Sequence, residues 1–499
     1  MKLAKLERIL PWVAGALLLG ANLWPRVFSG LAIDEAGSAW IVKESYAEAV
    51  RRAWSWSATS PFYYSVLWVW TRAFGAGELG MRALSILFSL LTLGLLYRLA
   101  LRWLDEVEAK VAVLVFMAIP LAGVAFIDIR PYAMGLALVT ASWLALQRWL
   151  ERGRWFDGLL FVLCSAGAIW CHYTFVLGLV PLLWYLPRLG GKRAAIALAA
   201  LALLLTPLAF QFLEVLGRRQ ELSYADNPSL QSVVRRAAGH GFRALLAAGA
   251  LLAASASANR ALYRLPRLKQ SWIPLALLAF LPPAALWLFG HFARSPMYHD
   301  RYMAAGAVGI AILGGAVFRG FEQRGLRALA LAAFTAAAVV SVSRGSPYHM
   351  GADWRGMGAW VEEQLARTPE TKVAVASPFI ESLQDRILND PNYAEILHGP
   401  LARYLGVNRG LLLPGRPTAE SGRRLEQILR SPRAPCAQVL FVTGTSVARY
   451  RSWLKERLEA AGYRLAEERA FGLGAAWVYT NCGGGPPSSS RPKAPPAVI

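Results

Sequence analysis

The stretch LAIDEAGSAW, residues 31–40, sets two adjacent carboxylates, Asp34 and Glu35, directly after an apolar run that begins near Ile9. A carboxylate at the boundary of water and lipid can take a proton from a hydroxyl nucleophile whose reaction partner is anchored in the membrane. Such a pair alone equally marks the interfacial end of a helix. FIDIRPYAM, 126–134, places Asp128 and Arg130 before Pro131 and Tyr132. Read structurally, this is a helix-end turn stopped by proline; read chemically, Arg130 orients a second acid or pairs with phosphate. WCHYTF, 170–175, puts His172 and Tyr173 where the chain turns between apolar blocks, and HDRYMAAG, 299–306, offers Arg301 and Tyr302 at the start of another. An arginine at the lipid edge suits a lipid-linked phosphate, whereas Tyr302 also fits interfacial anchoring and a solitary histidine is often structural. ADWRGMGAWV, 352–361, opens a polar region in which Asp353 reads equally as a helix cap.

The apolar pattern supplies the elements that must hold these groups. Of the 499 residues, 56% are hydrophobic, gathered in blocks of a length that crosses hydrocarbon as a helix. They run approximately 9–29, 81–103, 109–127, 131–150, 156–172, 173–187, 193–213, 242–258, 271–290, 301–318 and 326–342. The pattern predicts a polytopic α-helical membrane protein with about eleven transmembrane helices. The opening MKLAKLER is followed by no small-x-small cleavage site, so the first run reads as a retained span.

A short block rich in Trp and Tyr, PFYYSVLWVWTRAF at 61–74, has the composition of the membrane interface. Charge decides its place. If it lies along the outer surface, the basic N-terminus and the loops around Arg98 and Arg102, Arg148 and Arg152, Arg188 and Lys192, Arg260 and Arg264, and Arg319 and Arg324 share one side, the cytoplasm. If it spanned, the N-terminus would face away from all five loops. The formal net charge of +22 is therefore topological, meeting anionic headgroups rather than nucleic acid. Asp34, Glu35, Asp128, His172, Arg301 and everything after about 343 then fall on the outer face.

Residues 343–482 alternate helical and strand patterns, among them DWRGMGAWVEEQLA, KVAVAS, ESGRRLEQILR and AQVLFVTG. This predicts a small α/β domain outside the membrane, after a transmembrane catalytic domain over 1–342 and before a disordered Gly/Pro/Ser-rich tail at 483–499. Cys164 and Cys171 read as core residues, while Cys436 and Cys482 bracket the last two strands, which could bring them within disulfide reach. No HExxH, Walker loop, dinucleotide glycine motif or clustered Cys/His spacing occurs, which argues against zinc proteolysis and nucleotide-driven transport.

The order DE after the first span, then SPFYY, FGAGELGMRALS, DIRPYAMGLAL, CHYTF, RYM and DWRGMGAWV resembles the dolichyl-phosphate-mannose-protein mannosyltransferase-like group of GT-C glycosyltransferases. The early part is also similar to the lipid A aminoarabinose transferases, although TSPFYY stands where those carry an acid–lysine pair. The resemblance covers roughly 1–365 and implies a GT-C-like cytoplasmic (inner) membrane enzyme. It would move a sugar from a polyprenyl-phosphate donor to a lipid, glycan or protein acceptor on the periplasmic or extracellular face, usually with inversion. It aligns Asp34 with the general base, Glu35 with the acid that follows it and Asp128 with the second acid. Arg130 and Tyr132 match the motif after that acid, and His172, Tyr173, Arg301 and Tyr302 fall near donor phosphate. No cofactor is required and no metal site is assigned, although Asp34, Glu35 and Asp128 are suited to a divalent Mg or Mn ion. The competing readings are a transporter or flippase of a lipid-linked glycan, which predicts ionisable groups at mid-membrane, and a non-catalytic envelope assembly protein.

Overall fold

The computed structural model describes residues 2–56, 60–119, 125–217, 268–292, 299–321, 323–343, 349–406, 410–430 and 437–481, with Gly123 and the short stretches 228–229 and 231–232. The expected span over 242–258, the Cys436–Cys482 pairing and the tail 483–499 lie outside the described residues. The chain forms two compact units, one of Met1–Phe28 with Ser38–His349, the other of Ser29–Gly37 with Met350–Ile499. The segment bearing Asp34 and Glu35 therefore belongs with the C-terminal part of the chain.

The first unit is helical: α1 (Lys2–Val27), the end of α2 (Ile33–Ile41), α3 (Tyr46–Ser55), α4 (Pro61–Phe74), α5 (Glu78–Ala100), α6 (Glu106–Ala118), α7 (Tyr132–Arg152), α8 (Trp155–Cys171), short helical turns from Tyr173 to Leu189, α9 (Gly191–Gly217), α10 (Ile273–Phe292), α11 (Gly306–Arg319) and α12 (Arg324–Ser343). Four of these, α5, α9, α10 and α12, are long and apolar enough to cross a membrane, as a multi-pass membrane protein requires. The helix expected over 109–127 stops earlier, at Ala118. Ile119 is extended there because it precedes Pro120, whose ring disfavours helix at the residue before it. Helix α4 starts with Pro61 in its first turn and takes a cap from Ser60 Oγ, which accepts from Phe62 N at 3.3 Å. Its 14 residues extend about 21 Å, short of a hydrocarbon core of about 30 Å.

Small residues and buried polar groups join the helices. A Cβ on Gly309 of α11 would lie 2.6 Å from Ala279 N of α10, so only glycine permits that approach. Ser142 and Ser165 pair at 2.6 Å between α7 and α8. Arg82 of α5 is fully buried and donates through Nη1 to Val27 O (2.8 Å) and Arg26 O (3.2 Å). It thus satisfies carbonyls at the C-terminus of α1, where the helix dipole also favours a cation.

The second unit is the expected α/β domain. Helix α13 (Trp354–Arg367) precedes β1 (Lys372–Ala376) and β2 (Leu411–Leu413); α14 (Ala419–Arg430), β3 (Gln438–Thr443), α15 (Val447–Ala460), β4 (Arg464–Phe471) and β5 (Gly474–Thr480) follow. The sheet order is β2-β1-β3-β5-β4, with β2, β1 and β3 parallel and β5 and β4 joined antiparallel. Alternate residues feed two cores. Val373, Val375, Leu440 and Val442 meet Trp354, Met357 and Trp360 on one face. Ala374, Phe441 and Trp477 meet Tyr450, Leu454 and Leu458 on the other. Asp353 caps α13, its Oδ1 accepting from Gly356 N at 2.9 Å.

Within this unit Leu31 N donates to the Tyr404 hydroxyl at 2.8 Å. Gly30 sits where a Cβ would come within 3.1 Å of Arg355 Cβ, so the acidic segment is held closely. Glu35, fully buried, is the third residue of α2, and its Oε2 accepts from Ala32 N at 2.9 Å. That bond is the return half of a capping box, closing an otherwise orphaned N–H.

Candidate functional site

In the first unit, the candidate residues gather where helices end. Asp128 lies in the turn before α7; Arg130 N donates to Asp128 O at 2.7 Å, and Pro131 then opens the helix. The turn is fixed from α5, whose Ser85 hydroxyl donates to Asp128 O at 2.6 Å. Asp128 and Arg130 are both buried. Arg130 Nη1 donates to the Tyr64 hydroxyl at 3.2 Å. Tyr63, its neighbour on α4, is buried too, and burial pushes its phenol well above the usual range, with Tyr64 adding to the effect.

His349 completes this end of the site. Its Nε2 stands 3.4 Å from Asp128 Oδ1, while the buried Asp128 Oδ2 carries no hydrogen bond. The sequence singles out His172 but not His349, which is a lone histidine in a polar linker. Its only signal is that it lies four residues before Asp353, close to the DWRG motif. Tyr64 and Ser85 fall within quoted motifs, yet only the fold reveals what they hold.

His172 caps the end of α8 in extended conformation, and its Nδ1 accepts from Thr174 N at 3.3 Å. With Nδ1 as acceptor, a neutral ring carries its proton on Nε2, which becomes the donor. The ring stacks on Tyr302 with centroids 4.9 Å apart and lies 5.6 Å from the Tyr132 ring. The Arg301 guanidinium sits 6.0 Å from the centroids of both Tyr132 and Tyr302. Tyr132, His172, Arg301 and Tyr302 are therefore one cluster, brought together from α7, the end of α8 and the turn before α11. Tyr173 turns elsewhere: its hydroxyl donates to Gln211 Oε1 of α9 at 2.7 Å, and Gln211 Nε2 donates to Trp54 O at 3.3 Å.

Two guanidiniums, permanently charged, stand here with imidazole and phenol donors and one carboxylate. Such a set favours an anion, and arginine forks suit the oxygens of a phosphate. Asp34 is half-buried in the first turn of α2, in the second unit, beside the capping carboxylate of Glu35.

Solved structures similar along the chain include ArnT from Cupriavidus metallidurans bound to undecaprenyl phosphate. It is 16% identical, with 95% of this chain and 99% of that chain covered and a TM-score of 0.49. Another is the apo oligosaccharyltransferase from Archaeoglobus fulgidus, 12% identical, with 97% of this chain and 75% of that chain covered and a TM-score of 0.48. Likeness at that level assigns neither substrate nor mechanism. No curated protein sequence matches significantly. Residues 58–210, which hold Asp128, Arg130, Tyr132, His172 and Tyr173, match the dolichyl-phosphate-mannose-protein mannosyltransferase family model, and it is this family that the chain resembles.

Proposed function

We propose that the protein is a membrane glycosyltransferase that transfers a sugar from a polyprenyl-phosphate donor to an acceptor hydroxyl on the outer face of the cytoplasmic membrane, with inversion. The observation that carries this reading is the cationic and aromatic cluster of Arg301, His172, Tyr132 and Tyr302. All four side chains belong to helix ends or turns, where a lipid-linked phosphate is within reach.

In this mechanism Asp34 accepts the proton of the acceptor hydroxyl as its oxygen attacks the anomeric carbon. The bond from that carbon to the phosphate oxygen breaks, and its electron pair leaves with the phosphate. Arg130, Arg301 and the Nε2 proton of His172 stabilise the growing negative charge, a contribution that fixed donors make large. Asp128, held at one oxygen by His349, offers the other to the acceptor or to a divalent ion. Such an ion, when bound, would add positive charge beside the departing phosphate.

The test is transfer of labelled sugar from a panel of polyprenyl-phosphate donors by wild-type and Asp34→Asn protein in lipid nanodiscs. Turnover by the wild type that collapses in Asp34→Asn, with donor binding retained, is the expected result. Donor binding without turnover in either protein, across envelope acceptors, would overturn the reading in favour of transport or assembly.

A further inference from the structure

Away from this site, the start of α6 meets the end of α11 and the start of α12. Asp105 stands at the N-cap position of α6 and Glu108 lies in its first turn, so the two are neighbours on one helix face. Asp105 pairs with Arg319 Nη2 at 3.1 Å and with Lys269 Nζ at 2.8 Å. Glu108 is 4% exposed, and its Oε1 has one long contact, 3.5 Å, from Arg327 Nη1. The remaining donors of Arg327, Nε and Nη2, are turned to Phe321 O.

Two polar atoms are left over. Glu108 Oε2 and Arg319 Nη1 are both buried and neither has a hydrogen bond. Glu108 and Arg327 line a cavity of about 10 Å³ otherwise walled by Val107, Val111, Phe318, Ala328 and Leu331, room for about one water-sized group. With the donors of Arg327 directed to Glu108 Oε1 and Phe321 O, the buried Oε2 is costly unless something else donates to it. The N-termini of α6 and α12 both reach this end and carry positive partial charge, while Arg319 offsets the negative end of α11 that it closes.

The geometry points to a headgroup site for phosphatidylethanolamine. Its ammonium, close to water in size and carrying three donors, enters the cavity and donates to Glu108 Oε2. Its phosphate takes Arg319 Nη1 and the N-terminal ends of α6 and α12. A largely apolar cavity beside a cluster of basic residues at helix termini is what a lipid at the leaflet surface meets. The trimethylammonium of phosphatidylcholine is too large for the cavity and has no N–H to give. The site is separate from the transfer chemistry and stands or falls without it.

The test is native mass spectrometry of the full-length protein with added phosphatidylethanolamine, its N-methylated derivatives up to phosphatidylcholine, and phosphatidylglycerol. Expected is selective retention of the primary amine, falling with each methyl group. Glu108→Gln should weaken it by about tenfold to a hundredfold, the range for a lost charge-assisted hydrogen bond. Val111→Phe, which fills the cavity, should abolish the preference in protein that circular dichroism shows to be folded. Equal retention of phosphatidylcholine or phosphatidylglycerol by the wild type would overturn the proposal. So would a preference untouched by either substitution, since the cavity would then hold water only.

Discussion

His349 Nε2 stands 3.4 Å from Asp128 Oδ1 with both side chains buried, joining a turn before α7 to a residue more than two hundred positions later. Ser85 fixes the same turn through the Asp128 carbonyl at 2.6 Å. The carboxylate is thus gripped at its backbone and at one oxygen, leaving Oδ2 to act.

If Asp128 contributes charge to transfer, Asp128→Asn should lower the rate about a hundredfold while preserving shape, as loss of a positioned acid or base does. His349→Gln, which removes only the partner, should cost less. Rates of labelled-sugar transfer decide this; a wild-type rate in Asp128→Asn would remove the residue from the chemistry.

Arg130 is tied to Tyr64 at 3.2 Å and so presents its guanidinium in one orientation. Arg130→Lys keeps the charge but loses the planar fork, and should reduce transfer at least about tenfold. Tyr64→Phe should have a smaller effect of the same kind. Donor titrations would register both as a raised KM, and equal KM values in Arg130→Lys and wild type would sink a phosphate-binding role.

The α/β unit was legible because short, β-branched apolar runs such as KVAVAS and AQVLFVTG alternate with helical stretches such as ESGRRLEQILR. Strand β4 was hidden. RLAEERAF exposes most of its residues at the sheet edge, and its charges resemble a helix surface. The three-residue β2 is too short to show any period. Asp128, Arg130, His172 and Arg301 were legible as charges at the ends of apolar blocks, since few other places there tolerate them. His349 and Gln211 were not, because nothing local distinguishes a residue whose partner is supplied by distant chain. The capping bond of Glu35 is local, but a pair of adjacent acids at a helix start has the same sequence pattern whether it caps or catalyses.

Glu35 tests that distinction. Glu35→Ala should lose about 1 kcal/mol of stability with its bond to Ala32 N, while Glu35→Gln can still accept and should keep it. If the residue also serves transfer through its charge, Glu35→Gln will unfold like wild type but transfer more slowly. Thermal unfolding and transfer rate measured on the same preparations separate the roles; full activity in Glu35→Gln would leave only the cap.

Gln211 is 1% exposed on α9, a helix that otherwise buries little, and it bridges Tyr173 to Trp54 O. Gln211→Leu and Tyr173→Phe each break the same hydrogen bond, so the double variant should be less impaired than the sum of the singles. A coupling energy of about 0.5 kcal/mol or more in donor KM is expected. Strict additivity would mean that Tyr173 is positioned by something else.

Tyr450 sets an alkaline limit on the α/β unit. Its ring is fully buried, 4.8 Å from that of Phe441, and its hydroxyl donates to Pro414 O. Burial pushes the phenol up, so the folded chain keeps the proton after the unfolded chain has begun to lose it near pH 10. The stabilisation is full below about pH 10 and is lost as pH rises through the folded value. Tyr450→Phe should be less stable at neutral pH by about 1–3 kcal/mol, since Pro414 O loses its donor. It should also lose less stability than wild type on going to alkaline pH. Denaturant unfolding followed by tryptophan fluorescence from about pH 8 to about pH 11 measures both slopes; parallel curves would mean that Tyr450 does not govern the alkaline loss.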